Sequence, residues 1–194
     1  MDHLNRHTSL LVAIQSRCTL QEAAIGWIDK NMVMFQFKKN ETILQAGKMC
    51  NYLYFVNEGM LGGHHFNEQK GSICNWISTE GELGTSYYSF ISRNPSNEAI
   101  ESLEASVVTA ISYQKLNELY CLFPETERAG RLILEEYYVR LEERLMALQF
   151  RSARERYELL ATTRPEIIRR APLGKIATYL GMKQETLSRL RAAR

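Results

Sequence analysis

The chain has 194 residues, 45% of them hydrophobic and 24% charged, with a formal net charge of +2. That length buries one ordinary core plus a smaller second unit, and eleven Gly with four Pro exclude collagen-like and low-complexity chains. The charge is uneven: residues 1–150 hold 13 Lys/Arg against 18 Asp/Glu, whereas residues 151–194 hold 11 against 4, which suits a basic terminal segment meeting a polyanion.

The first thirty residues read as helix. Leu10, Leu11 and Ile14, then Ala23, Ala24, Trp27 and Ile28, recur at three- and four-residue steps. Thr19 or Ser16 is placed to cap the second helix, with Glu22 three residues after Thr19 as a capping box requires. The apolar run Leu10–Ile14 is too short for a signal peptide or a membrane span. The expectation is a soluble, cytoplasmic protein with no membrane partner. Cys18, Cys50, Cys74 and Cys121 are scattered without a CxxC pair, so no disulfide framework or zinc site is predicted.

From Asn31 the period changes to two, over an aromatic and β-branched tract. Strand-like runs follow at Thr42–Gln45, Tyr52–Asn57, Met60–Phe66 and Ser72–Ile77, punctuated by glycines. Tyr87–Ile91 reads as a helical turn, and Glu98–Ser112 as two further strands. Short, regularly spaced strands with glycine turns predict a sandwich or barrel. From Pro124 the period is helical again. Leu134, Tyr138, Leu141, Leu145 and Leu148 keep four-three spacing, the seam of a coiled coil, which predicts one helix over 124–163 of about 60 Å whose seam packs on its own β domain or, the favoured reading, on a second copy in a parallel homodimer. Pro165 and Pro172 bracket a short helix before the terminal unit.

Residues 173–191 have helix-turn-helix spacing. Ile176, Ala177 and Leu180 form the inner face of a first helix, Gly181 permits the turn, and Met182, Leu187 and Leu190 face the core. Gln184, Glu185, Ser188 and Arg189 then share the outer face of the second helix, where Arg189 matches guanine O6/N7 and Glu185 matches cytosine N4. Arg169, Arg170, Lys175 and Lys183 are the candidate phosphate contacts. Double-stranded DNA is the partner this pattern predicts. A small basic αα-hairpin without DNA function has the same hydrophobic spacing.

Barrel, long helix and terminal helix-turn-helix together resemble the cyclic-AMP receptor protein family (Crp/Fnr regulators). The resemblance is carried by Leu44-Gln45-Ala46-Gly47, by Leu53 to Gly59, and by Pro172 to Arg189, above all Glu185-Thr186-Leu187-Ser188-Arg189. It covers about residues 30 to 191. It implies an α+β fold: a β-roll sensor with N-terminal helices over 1–123, a dimerisation helix over 124–163 and a DNA-binding unit over 164–194. It further implies a homodimeric transcription regulator reading a pseudo-palindromic site, with RNA polymerase and an unidentified small-molecule effector as further partners.

Two departures qualify it. Nucleotide-binding members carry Gly-Glu-Leu, a short helix and then Pro-Arg-x-Ala. This chain keeps Gly81-Glu82-Leu83 but reads Pro95-Ser96-Asn97-Glu98. A serine hydroxyl does not replace a bidentate guanidinium on a cyclic phosphate, and Glu98 adds repulsion, so cyclic AMP is not the expected ligand. Gly81, Glu82, Leu83, Ser96 and Asn97 remain the candidate pocket for another effector, with Glu82 expected to be a plain turn residue. The family's wing after the recognition helix is expected to be short or absent, since the sequence stops at Arg194, and Gln184 stands where arginine is common.

His64 and His65 on a strand point to opposite faces, so no shared metal is predicted, and the scattered cysteines do not suit an iron–sulfur cluster. Trp76, Tyr87, Tyr88 and Phe90 suit a core or the lining of a pocket. No catalytic triad, P-loop or HExxH supports an enzyme. The alternative function is a non-catalytic ligand- or protein-binding roll with a vestigial helix-turn-helix.

Overall fold

A computed structural model describes residues 8–69 and 71–192. The opening residues of the expected N-terminal helix and the terminal Arg194 lie outside the described residues. Two helices, α1 (Thr8–Gln15) and α2 (Glu22–Asn31), precede eight strands: β1 (Val33–Phe37), β2 (Thr42–Leu44), β3 (Tyr52–Glu58), β4 (Leu61–Asn67), β5 (Gly71–Ser78), β6 (Leu83–Gly84), β7 (Ala99–Ser102) and β8 (Ser106–Ser112). Helix α3 (Tyr87–Ser92) is inserted between β6 and β7. The strands form two antiparallel four-stranded sheets, ordered β1-β8-β3-β6 and β2-β7-β4-β5. The alternation read from the sequence explains them, because every second residue of β3 faces the roll interior. Tyr54 and Val56 pack there with Leu61, Val108 and Ala110, whereas Leu53 and Phe55 face outward onto Leu10, Ile14, Ala24 and Ile28 of α1 and α2.

The cap expected from Thr19 or Ser16 is not formed. The N-cap of α2 is Gln21, with no side-chain cap bond, and the Ser16 hydroxyl donates back to the Ala13 carbonyl at 2.8 Å. Six described helices follow β8, of which the first four are α4 (Tyr113–Leu122), α5 (Pro124–Phe150), α6 (Ala153–Thr163) and α7 (Pro165–Arg170). The single helix expected over 124–163 is thus two helices. Arg151 is extended at φ −103°, ψ 144°, and Ser152 starts α6 with a complete capping box. The Glu155 carboxylate accepts the Ser152 N–H at 2.7 Å while the Ser152 hydroxyl accepts the Glu155 N–H at 3.3 Å. Helix α5 is therefore 27 residues, about 40 Å long. None of the described helices is long and apolar enough to cross a membrane.

The break lets the chain fold back. Helices α8 (Leu173–Tyr179) and α9 (Gln184–Ala192) close a small unit whose core also contains roll residues. Tyr157, Leu160, Ile167, Ile176, Ala177, Leu180 and Leu187 pack in one cluster with Met60, Cys74, Ile77 and Leu103. Strand β5 is an edge strand, and α8 covers it.

Candidate nucleic-acid interface

Helix α8 ends in a Schellman motif. The N–H of Gly181 bonds to the Thr178 carbonyl at 3.0 Å, and the N–H of Met182 to the Ala177 carbonyl at 3.0 Å. Gly181 adopts φ +66°, and Leu148 Cδ2 sits where a Cβ would project. Only glycine meets both demands without strain. Ile176, Ala177, Leu180 and Leu187 are buried, so α9 is held by its apolar face. Its opposite face presents Gln184, Glu185, Ser188 and Arg189, all exposed. The structure brings these four sequence-predicted residues together on one convex surface.

The four predicted phosphate contacts divide into two pairs. Arg169 and Lys183 are exposed. Arg170 and Lys175 instead meet carboxylates of the roll. Arg170 bonds Glu80 at 2.5 and 2.9 Å and also Glu104, and Lys175 pairs with Glu101. The Arg170 guanidinium holds the Glu80 carboxyl below its ordinary pKa, and the two carboxylates raise that of Arg170. His64 Nε2 lies 3.7 Å from the same Glu101, and burial lowers the His64 pKa.

The predicted effector residues do not form one site. Gly81, Glu82 and Leu83 border a cavity of about 450 Å3 between the roll, α1, α4 and α5. Apolar Leu10, Ile14, Phe55 and Ile111 line it with Tyr87 and Tyr137, whose rings are 4.4 Å apart. Trp76 and Phe90 also reach it, while Tyr88 is exposed. Glu82 is more than a turn residue: it accepts from Arg140 of α5 at 2.9 Å and pairs with Arg164 ahead of α7. Ser96 is buried elsewhere, bonding Ser86 at 2.9 Å and the Glu98 carbonyl at 2.7 Å, and Asn97 is exposed.

A cyclic nucleotide does not fit these residues. Ser96 stands where the resemblance places an arginine for the cyclic phosphate, and two residues on, Glu98 is buried and accepts from the Trp76 indole N–H at 3.0 Å. The indole in turn fills the space over Gly63 and Gly84, where any Cβ would meet it. Burial raises the Glu98 pKa, as expected for a carboxyl with little compensating charge. Sequence reading missed this Trp76–Glu98 pair and the carboxylates Glu80, Glu101 and Glu104. Arg170 is 66 and 90 positions from its two partners, a separation at which no spacing rule applies.

The coiled-coil seam lies open along α5. Leu134, Tyr138, Leu141 and Leu145 are 44%, 62%, 45% and 53% exposed, while Leu148 is half-buried against Gly181.

Residues 34–120 match the cyclic nucleotide-binding domain family. The whole architecture is similar to solved structures of bacterial regulators. FixK2 from Bradyrhizobium japonicum is 20% identical with a TM-score of 0.70, over 84% of this chain and 83% of that one. The c-di-GMP-responsive global regulator CLP of Xanthomonas campestris is 16% identical with a TM-score of 0.68, over 89% and 91%. A Crp/Fnr-family transcriptional regulator from Eubacterium rectale is 15% identical with a TM-score of 0.69, over 90% and 83%. The chain thus contains a segment that matches the cyclic nucleotide-binding domain and shares the overall fold of these regulators. No curated protein matches it by sequence.

Proposed function

We propose that this chain is a homodimeric, non-enzymatic transcription regulator of the cytoplasm that reads double-stranded DNA through α9. The observation that carries this reading is the exposed set Gln184, Glu185, Ser188 and Arg189 on a helix anchored through Leu187 and the Gly181 turn. An arginine there can donate to both acceptors of a guanine, and a glutamate one turn earlier can accept a hydrogen bond from the N4 amino group of a neighbouring cytosine. The similarity to CLP and to the Eubacterium rectale regulator supports the same role.

The dimer follows from the seam of α5. Four large apolar side chains in one stripe favour burial against a second copy. Two α9 helices related by a two-fold axis would enter major grooves about 34 Å apart, so the operator is pseudo-palindromic. RNA polymerase is the further partner, and the cavity beside Tyr87 and Tyr137 is where an effector other than a cyclic nucleotide would act. Selection of duplexes from a random-sequence library tests the reading. An inverted repeat is expected; retention without sequence preference, falling steeply with salt, would favour a vestigial helix-turn-helix.

A further inference from the structure

We propose that Glu80, Glu101 and Glu104 of the roll occupy the places of DNA phosphates, so that roll and DNA compete for Arg170 and Lys175. This inference rests on the DNA-binding reading above and adds a built-in restraint to it.

The chemistry is matched on both sides. A guanidinium binds carboxylate and phosphate through the same fork of N–H donors. Arg170 spends that fork on Glu80 and Glu104, and its Nη2 also approaches the Gly59 carbonyl at 3.3 Å. Lys175, one turn before Thr178, spends its ammonium on Glu101. A third pair, Arg164 to Glu82, ties the start of α7 to the same rim. These carboxylates come from β7 and from the turns after β5 and β7, yet all converge on one face of the α7–α8 unit.

The strength of the contact suits a reversible restraint. The paired side chains keep between 18% and 41% of their surface, so each pair is a partly screened contact of modest worth. The apolar cluster of Met60, Cys74, Ile77 and Leu103 with Ile167, Ile176 and Ala177 holds the unit in register. DNA meets α9 at no such obstacle, since its outer face is exposed while docked. It must, however, displace carboxylates before it gains two phosphate contacts, and this lowers its affinity.

The test compares the full-length chain with a Glu80→Gln/Glu101→Gln/Glu104→Gln variant. Losing negative charge anywhere favours DNA, so a control with equal charge change, Glu22→Gln/Glu118→Gln/Glu127→Gln, removes exposed carboxylates outside this rim. Duplexes selected with the parent are the probe, and amide exchange without DNA is the second readout. The rim variant should bind at least ~5-fold tighter than the control. Its amides over residues 72–76 and 173–179 should exchange faster, while those of β3 and β8 stay protected. Equal affinity of rim variant and control, or unchanged exchange at 173–179, overturns the competition while leaving DNA binding intact. If no protein retains any duplex, the regulator reading itself falls and the competition with it.

Discussion

The backbone N–H of Cys74 donates to the Thr178 hydroxyl at 3.1 Å, joining the edge strand of the roll to the first helix of the helix-turn-helix. An open strand edge offers unpaired donors, and here a helix side chain satisfies one of them. The Cys74 side chain is buried at this junction, which pushes its thiol pKa up to about 12. The roll and the α8–α9 unit therefore share a backbone-to-side-chain bond as well as a core. Thr178→Val keeps the shape but leaves the Cys74 N–H without its acceptor, which should cost ~1–3 kcal/mol. Urea unfolding and exchange of the Cys74 amide measure it; an unchanged midpoint with full protection would mean that the edge is held by packing alone.

Gly63→Ala should destabilise the roll by ~1–3 kcal/mol or more, because the added methyl would overlap the Trp76 indole and approach the Glu98 carboxylate. The Trp76 emission spectrum should shift as the ring moves. A melting temperature and spectrum equal to those of the parent would show that the indole does not fill this space.

Leu145→Lys places like charges against each other in an otherwise apolar seam, which costs more than the ~2–5 kcal/mol of a buried leucine truncation. If α5 carries the proposed dimer, light scattering should find the parent dimeric and the variant monomeric. A dimer that persists would put the interface away from α5.

Glu80 on the surface and the buried Glu98 have opposite pH signatures. Glu80 is held below its ordinary pKa by Arg170, so its pair contributes stability above the ordinary carboxylate range and loses it as pH falls through the folded value. Glu98 is raised by burial, so it costs stability as pH climbs from the ordinary value through the raised one. Glu98→Gln retains an acceptor for Trp76 and should therefore stabilise at neutral pH, whereas Glu80→Gln should destabilise there. Urea midpoints between about pH 4 and pH 7 separate the two; a Glu98→Gln protein less stable than the parent at pH 7 would contradict the sign.

Local patterns were legible and distant ones were not. Alternation and glycine turns placed β3, β4, β5 and β8, and Ala177, Gly181 and Leu187 placed the helix-turn-helix, because each depends on neighbours within a few residues. The break at Arg151 is also written locally, in Ser152 and Glu155, the two positions where the seam that ends at Leu148 would have continued. Thr19 and Glu22 offer the same signature and go unused, since Gln21 caps α2 instead. The docking of Arg170 and Lys175 on roll acids and the Trp76–Glu98 pair depend on chain reversal, which no residue spacing records.

The central claim is that α9 reads bases through Arg189. Binding-site selection with the parent and with Arg189→Ala tests it most directly. Loss of a bidentate guanine contact should cost ~1–3 kcal/mol and relax preference at one base pair of each half-site. Identical base preferences in both proteins, with only a uniform drop in affinity, would contradict it.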